Sequence, residues 1–205
     1  MSLDNSKDNI CGILPVKKPE GWTSFDVIAK LRGVLRIKRL GHSGTLDPMA
    51  TGVLPVFVGR ATKACDIIPD RRKVYTAGFQ LGVSTDTLDS TGKTLKISDK
   101  AVARADLECA KSSFVGDIMQ VPPMYSAIKV NGKKLYELAR AGQEIEREPR
   151  AVHIDSIDII EYDEASRRGV MKVDCEKGTY IRSVISVIGE KRGCGGMMAS
   201  LGRSH

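Results

Sequence analysis

Apolar residues recur along this chain with two different periods, which predict strands in some segments and helices in others. Every second residue is apolar in one predicted strand, at Tyr75, Ala77, Phe79 and Leu81. Helical spacing marks a first predicted helix, at Val27, Ile28, Leu31, Val34 and Leu35. The same spacing marks a further helix, at Ile181, Val184, Ile185 and Ile188. Because strands and helices do not alternate regularly, we expect an α+β fold whose mixed, largely antiparallel central sheet is flanked by helices and loops.

The remaining elements are predicted from shorter signals. Strands are expected at residues 10–16, 53–58, 152–162 and 170–175, and helices at residues 104–114 and 134–141. Thr23 and Asp26 are spaced like a capping box, which places the start of the first helix near Ser24. Residues 1–9 are polar and predict a disordered leader, and residues 10–205 are expected to form one domain.

The charge of the chain is clearly positive, since 32 lysines and arginines stand against 25 aspartates and glutamates, a net charge of +7. This excess favours a polyanionic partner such as a nucleic acid, and solubility alone is the alternative explanation. The five cysteines include no C-x-x-C pair and there are only three histidines, so we expect neither a disulfide framework nor a bound metal. Neither a signal region nor a membrane-length apolar run is found, which favours a cytoplasmic protein without a membrane partner.

Residues 41–52 are rich in glycine, serine, threonine and proline, which predicts a loop. Asp47 is the only acid in this loop, and Pro48 stiffens the chain behind it. A lone aspartate in such a loop is usually a cap or turn residue. The loop alone therefore leaves open whether Asp47 is structural or catalytic.

Five motifs follow one another along the chain. They lie at residues 18–24, 41–54, 74–87, 122–140 and 177–183, and the second of them contains Asp47. Their content and order resemble those of the bacterial tRNA pseudouridine-55 synthase family (the TruB type), over essentially the whole chain after residue 10. The resemblance implies a pseudouridine synthase fold and an enzyme that isomerises uridine 55 in the T loop of tRNA to pseudouridine.

The resemblance also implies three catalytic residues. Asp47 matches the essential aspartate of the family, and Arg182 matches the arginine that pairs with it. Tyr75 matches the tyrosine that stacks on the target base and accepts the C5 proton. A carboxylate can attack the sugar at C1′, attack the base at C6, or remove a sugar proton to form a glycal, and the sequence leaves these routes open.

Substrate-binding residues are implied in the same way. The matching positions are His42, Lys18, Lys63, Tyr180 and Leu201. His42 is expected to help evert the target nucleotide, and Lys63 is expected to contact a phosphate. Tyr180 and Leu201 are expected to line the pocket, while Lys18 belongs to a set of cations expected along the T arm.

The expected partner is the T arm of tRNA, bound by a monomer that uses no cofactor and no metal. Family members usually continue into a small C-terminal RNA-binding domain of the PUA type, and we expect that domain to be absent from this chain. An alternative function is that of an RNA chaperone or binding module that remodels the T arm without chemistry. A hydrolase that uses Asp47 on a small substrate is a weaker alternative, because no second carboxylate lies at a suitable spacing.

Overall fold

The computed structural model describes residues 10–65, 67 and 72–205. Its strands are β1 (Gly12–Lys18), β2 (Leu40–His42), β3 (Thr51–Val58), β4 (Arg72–Leu81), β5 (Val83–Thr85), β6 (Thr94–Ile97), β7 (Gly116–Gln120), β8 (Lys129–Val130), β9 (Lys133–Lys134), β10 (Arg150–Asp163), β11 (Arg168–Glu176) and β12 (Gly196–Arg203). Its helices are α1 (Ser24–Leu35), α2 (Arg104–Ser112), α3 (Leu135–Arg140) and α4 (Ile181–Lys191), with a 3-10 helix at Gly59–Ala64. The chain divides into two compact units, Met1–Lys73 with Leu201–His205, and Val74–Ser200.

Strand β3 is the centre of the first unit. Strand β1 runs antiparallel to it over its whole length, and β2 runs antiparallel to its second half. The end of β12 pairs with its beginning in parallel, with Gly202 opposite Thr51. The apolar face of helix α1 packs in the core of this unit. The buried cluster comprises Val27, Ile28, Leu40, Leu54, Val56 and Val58. The core of the first unit is therefore formed by α1 and the side chains of β2 and β3.

The start of α1 follows from its first residues. The Oγ1 atom of Thr23 accepts a hydrogen bond from the backbone N–H of Asp26 at 3.0 Å, and the Asp26 carboxylate accepts one from the backbone N–H of Thr23 at 2.8 Å. This reciprocal capping box satisfies two backbone donors that the helix itself leaves unpaired, as the sequence predicts. The helix ends at Leu35, and the next residue, the C-cap Arg36, has a left-handed backbone conformation with φ of 56°.

The second unit is built on a sheet whose strand order is β12-β4-β11-β10-β7. Strands β10 and β11 form a long antiparallel hairpin, and β7 pairs antiparallel with β10 at its outer side. Helix α2 packs against α4 and β10. The apolar face of α4 is buried, including Ile181, Val184, Ile185 and Ile188. The short pairs β5-β6 and β8-β9 form two separate two-stranded sheets.

The predicted fold class is confirmed, since helices combine with a mainly antiparallel central sheet. Every predicted strand and helix is found, with ends that differ by a few residues at most. The sequence did not predict the short strands β2, β5, β6, β8 and β9, nor β7 and β12. The expected leader at residues 1–9 lies outside the described residues. Among the residues that the structure describes, no helix is both long and apolar enough to span a membrane.

Candidate active site

Asp47 lies in the loop between β2 and β3, and the backbone is fixed on both sides of it. On one side, the Ser24 hydroxyl accepts from the Leu46 N–H at 2.9 Å and donates to the Leu46 carbonyl at 3.3 Å. On the other side, the Pro48 carbonyl accepts from the Gly21 N–H at 2.9 Å. The side chains of Ser24 and Leu46 are buried, whereas Asp47 is half-buried. The first turn of α1 and the segment before it therefore hold a partly accessible carboxylate in place.

Lys18 binds the same loop through its side chain. This side chain is fully buried, with 0% exposure, and its ammonium donates to the carbonyls of Pro19, Trp22 and Pro48. Burial lowers the pKa of Lys18, and the negative charge of Asp47 is the largest of the charges that oppose this effect. The RNA contact expected at Lys18 does not fit this burial, because a phosphate cannot reach the ammonium. Its contacts fasten the backbone before α1 and after Asp47.

Arg203 fixes the other end of the loop, and the sequence did not single it out. It is 2% exposed, and it donates from Nε to the Val53 carbonyl at 2.8 Å and from Nη1 to the Gly44 carbonyl at 3.0 Å. Gly44 has φ of 68°, and a Cβ atom there would lie 2.8 Å from Nη1 of Arg203. Glycine is therefore required for this close approach. No pattern in the sequence identifies this arginine, since only the fold shows that it is buried.

His42 lies at the end of β2, near Arg203. Burial lowers the pKa of its imidazole, and the positive charge of Arg203 lowers the pKa further. A neutral ring is consistent with insertion among bases, but its predicted role in nucleotide eversion stays a prediction. Lys63 is exposed on the 3-10 helix, and Leu201 is buried with 8% exposure.

Arg182 is the buried cation of the second unit. It lies in the first turn of α4 with 4% exposure, and donates from Nη1 to the Thr87 carbonyl at 2.8 Å and from Nη2 to the Tyr125 carbonyl at 2.9 Å. Its Nη1 atom also lies 3.6 Å from Oδ2 of Asp89, which is itself buried. The guanidinium is thus held in one orientation by two carbonyls and a carboxylate. The expected pairing of Arg182 with Asp47 stays a prediction.

Asp89 is a further charged residue that the sequence did not single out. Its Oδ1 atom accepts from the Thr87 hydroxyl at 2.7 Å, the Thr91 hydroxyl at 2.6 Å and the Thr91 N–H at 3.0 Å. These three donors fix the rotamer of the carboxylate opposite Arg182. A possible signal was the polar turn between β5 and β6, in which acids alternate with threonines.

Tyr75 and Tyr180 are the predicted aromatic residues of the site, and both are half-buried. Tyr75 lies on β4, and Tyr180 immediately precedes α4. The predicted site residues are distributed over the two units: Lys18, His42, Asp47, Lys63 and Leu201 belong to the first, and Tyr75, Tyr180 and Arg182 to the second. Within the described part of the chain, no group of three or more histidine, cysteine, aspartate or glutamate side chains is arranged to hold a metal ion.

Solved structures with a similar fold are found by structural comparison. The chain aligns with a structure titled "Crystal Structure of a Cbf5-Nop10-Gar1 Complex" with a TM-score of 0.74 and 28% identity, over 98% of this chain and 50% of the other. A second, titled "Structure of H/ACA RNP bound to a substrate RNA containing 2'-deoxyuridine", aligns with a TM-score of 0.69 and 27% identity, over 95% and 47% of the two chains.

Sequence comparison identifies the family. The sequence model of the family described as "TruB family pseudouridylate synthase (N terminal domain)" matches residues 32–181. The chain is 52% identical over 192 residues to the tRNA pseudouridine synthase B of Clostridium novyi, covering 94% of this chain and 66% of that protein. It is 45% identical over 197 residues to that of Pseudomonas fluorescens, covering 96% and 64%. The chain therefore belongs to the TruB family of pseudouridylate synthases, and it spans about two thirds of the length of these curated relatives.

Proposed function

We propose that this chain carries the catalytic residues of a tRNA pseudouridine synthase that converts uridine 55 in the T loop to pseudouridine, with Asp47 as the essential carboxylate. Membership of the TruB family supports the reaction class. The observation that carries the assignment of Asp47 is its loop, whose backbone is bonded by Ser24, Gly21 and Lys18 immediately before and after this one residue. Such preorganisation suits a catalytic group better than a turn residue, which needs no support from three residues of another segment.

The reaction is an isomerisation, so substrate and product contain the same atoms and no co-reactant is needed. The bond from C1′ to N1 breaks, the base turns over, a bond from C1′ to C5 forms, and the proton on C5 is lost while N1 gains one. Asp47 acts at the sugar or at C6 of the base, and the three routes remain alternatives. Tyr75 stacks on the base and accepts the C5 proton, and Arg182 keeps the aspartate ionised.

The target uridine must leave the stacked T loop before it can react. Extrusion costs a few kcal/mol, which contacts to the RNA have to offset. In this proposal His42 assists the eversion, Tyr180 and Leu201 line the pocket, and Lys63 contacts a phosphate. The net charge of +7 provides the wider attraction to the tRNA backbone, so the affinity falls with rising salt concentration.

The test is pseudouridine mapping on an unmodified T-arm RNA in single-turnover conditions, with enzyme in excess. The wild-type chain is expected to modify one uridine, and Asp47→Asn is expected to lower the rate by roughly 10³-fold or more while RNA binding is kept. Glu20→Gln is the matched control, because it removes an exposed carboxylate from the segment next to the loop.

A wild-type chain that binds the RNA but forms no pseudouridine contradicts the proposal. If Asp47→Asn then also retains any effect on tRNA folding, the chaperone function is the better description. An active Asp47→Asn variant contradicts the role of Asp47 but leaves the reaction class intact.

A further inference from the structure

Gln120, the last residue of β7, contacts the backbone of Tyr180 with both ends of its amide. Its Oε1 atom accepts from the Tyr180 N–H at 2.8 Å, and its Nε2 atom donates to the Tyr180 carbonyl at 3.1 Å. Gln120 is buried, with 7% exposure. The pair of bonds joins residues sixty positions apart in the sequence, in the one unit that contains both. The glutamine therefore fixes the location and the orientation of the Tyr180 peptide groups.

This contact lies where α4 begins. Tyr180 occupies the position before the first helical residue, and no side-chain cap bond is made there. Its carbonyl accepts from the Val184 N–H at 3.2 Å as well as from Gln120, so the glutamine is bonded to the first turn of the helix. Arg182 lies two residues further on, in that same turn. A displacement of the Tyr180 backbone therefore acts on the backbone turn that carries Arg182.

The segment that follows Gln120 is fastened to the same turn a second time. Its prolines, Pro122 and Pro123, restrict the backbone, and its last residue, Tyr125, offers its carbonyl to Nη2 of Arg182 at 2.9 Å. One end of the segment thus holds Tyr180 through Gln120, and the other end holds Arg182. The two contacts act on residues that lie on one helical turn.

We propose that Gln120 is a positioning residue that sets the placement of Tyr180 and Arg182 for the reaction. The inference rests on the proposed function, which makes Tyr180 part of the pocket and Arg182 the partner of the aspartate. Gln120 itself is buried and acts through these two residues. A glutamine is needed because its amide donates and accepts at the same reach, whereas glutamate can only accept when ionised and methionine can do neither.

The test compares Gln120→Met and Gln120→Glu with a matched control, Gln80→Met. Gln80 is similarly buried, at 8% exposure, and its Nε2 atom donates to the carbonyls of Leu81 at 2.9 Å and Ser166 at 2.8 Å, away from Tyr180. For Gln120→Met we expect a saturating single-turnover rate about 10- to 100-fold below wild type, because small misplacements of reacting groups have effects of this size. The RNA concentration for half-maximal rate should stay within about threefold of wild type, since no RNA contact is removed. Gln80→Met should change neither quantity by more than about threefold.

The variant Gln120→Glu tests the hydrogen-bonding pattern itself, with rates taken at a temperature where the variant is fully folded at every pH, because a buried carboxyl group also makes stability depend on pH. When the introduced carboxyl group is ionised, it places an acceptor against the Tyr180 carbonyl, whereas the protonated acid donates to that carbonyl and accepts from the N–H as glutamine does. Burial favours the protonated form. The rate of Gln120→Glu relative to wild type should therefore rise as the pH is lowered from about 8 to about 6. Hydrogen exchange of the Tyr180 amide, corrected for its intrinsic pH dependence, should slow over the same interval.

The outcomes separate the inference from the proposed function. If the wild-type chain and Gln80→Met form no pseudouridine, the proposed function fails, and exchange of the Tyr180 amide still reports whether Gln120 protects it. If wild type is active and Gln120→Met matches Gln80→Met in rate, the positioning role is overturned. If Gln120→Met does not fold, the pH response of Gln120→Glu decides, and a flat ratio overturns the inference.

Discussion

Replacing Lys18 by methionine removes a buried ammonium and leaves a side chain of similar length. Three backbone carbonyls lose the ammonium as a donor, those of Pro19, Trp22 and Pro48, and the carbonyl of Pro48 keeps its bond from the Gly21 N–H. A hydrogen bond from a charged donor contributes roughly 1.5–3 kcal/mol to stability. Part of the lost free energy is recovered, because the methionine side chain carries no buried charge and has no cost of desolvating one. We expect the free energy of unfolding to fall by about 3 kcal/mol. Because Pro48 follows Asp47 directly, the rate of pseudouridine formation should fall by about tenfold or more as well.

The suitable assay is a urea unfolding titration that is monitored by tryptophan fluorescence. The chain has one tryptophan, Trp22, and its own carbonyl is one of the three acceptors, so the signal reports on the affected segment. Lys17→Met is the matched control, since Lys17 is the more exposed neighbour on the same strand. Its free energy of unfolding should stay within about 0.5 kcal/mol of wild type.

Equal stability of Lys18→Met and Lys17→Met would refute the reasoning, because it would mean that the three carbonyls lose nothing when the ammonium is removed. Lower stability with an unchanged rate would separate the two effects. The contacts of Lys18 would then stabilise the first unit without controlling Asp47.

Two further predictions concern the backbone of the first unit and a charge pair in the second. Gly52→Ala should lower the free energy of unfolding by about 3 kcal/mol in a urea titration, because φ is 109° and the new Cβ would overlap the Arg203 carbonyl of β12. His153 donates to Asp117 across β10 and β7, with 2.7 Å between Nδ1 and Oδ1, and this hydrogen bond raises the pKa of the imidazole above 6.5. The stability that this pair contributes is complete below pH 6.5 and is lost as the pH rises through the raised pKa, so the difference in Tm between wild type and His153→Gln should be larger at about pH 5.5 than at about pH 8.5.

Each of these two predictions can be contradicted by one measurement. Gly33→Ala, in α1, places its Cβ in open space and should raise stability slightly, so a similar loss in both glycine variants would show that Gly52 is not special. A Tm difference for His153→Gln that grows with rising pH would contradict the raised pKa.

The elements that the sequence predicts well are those whose signals are local. Helix α1 is indicated by the reciprocal spacing of Thr23 and Asp26, and α4 by an apolar stripe that is buried in the core. Strand β12 escaped prediction because Gly196–Arg203 shows no alternation, and what makes it a strand is pairing with residues far away in the chain.

The residues of the candidate site also differ in whether the sequence contains a signal for them. Asp47, Tyr75 and Arg182 follow from the resemblance to a family, because no periodicity distinguishes a catalytic carboxylate from a turn residue. Lys18 looked like a surface cation because lysine is almost never fully buried, and its neighbouring carbonyls become visible only when the loop is folded. Gln120 carries no charge and belongs to no motif, so its two bonds to a distant backbone had no signal in the sequence.

The bonds from Arg203 to Gly44 and Val53 have a consequence for the order in which parts of the protein fold during synthesis. They join positions 159 and 150 residues apart, although all three residues belong to the same compact unit. A nascent chain can build β1, α1 and β3 early, but the loop before Asp47 lacks its arginine until residue 203 has been synthesised. Contacts of such long range form late and slow the folding of small domains. Synthesis on the ribosome therefore completes the surroundings of Asp47 late, and a chain released before Arg203 would hold its carboxylate in an incompletely braced loop.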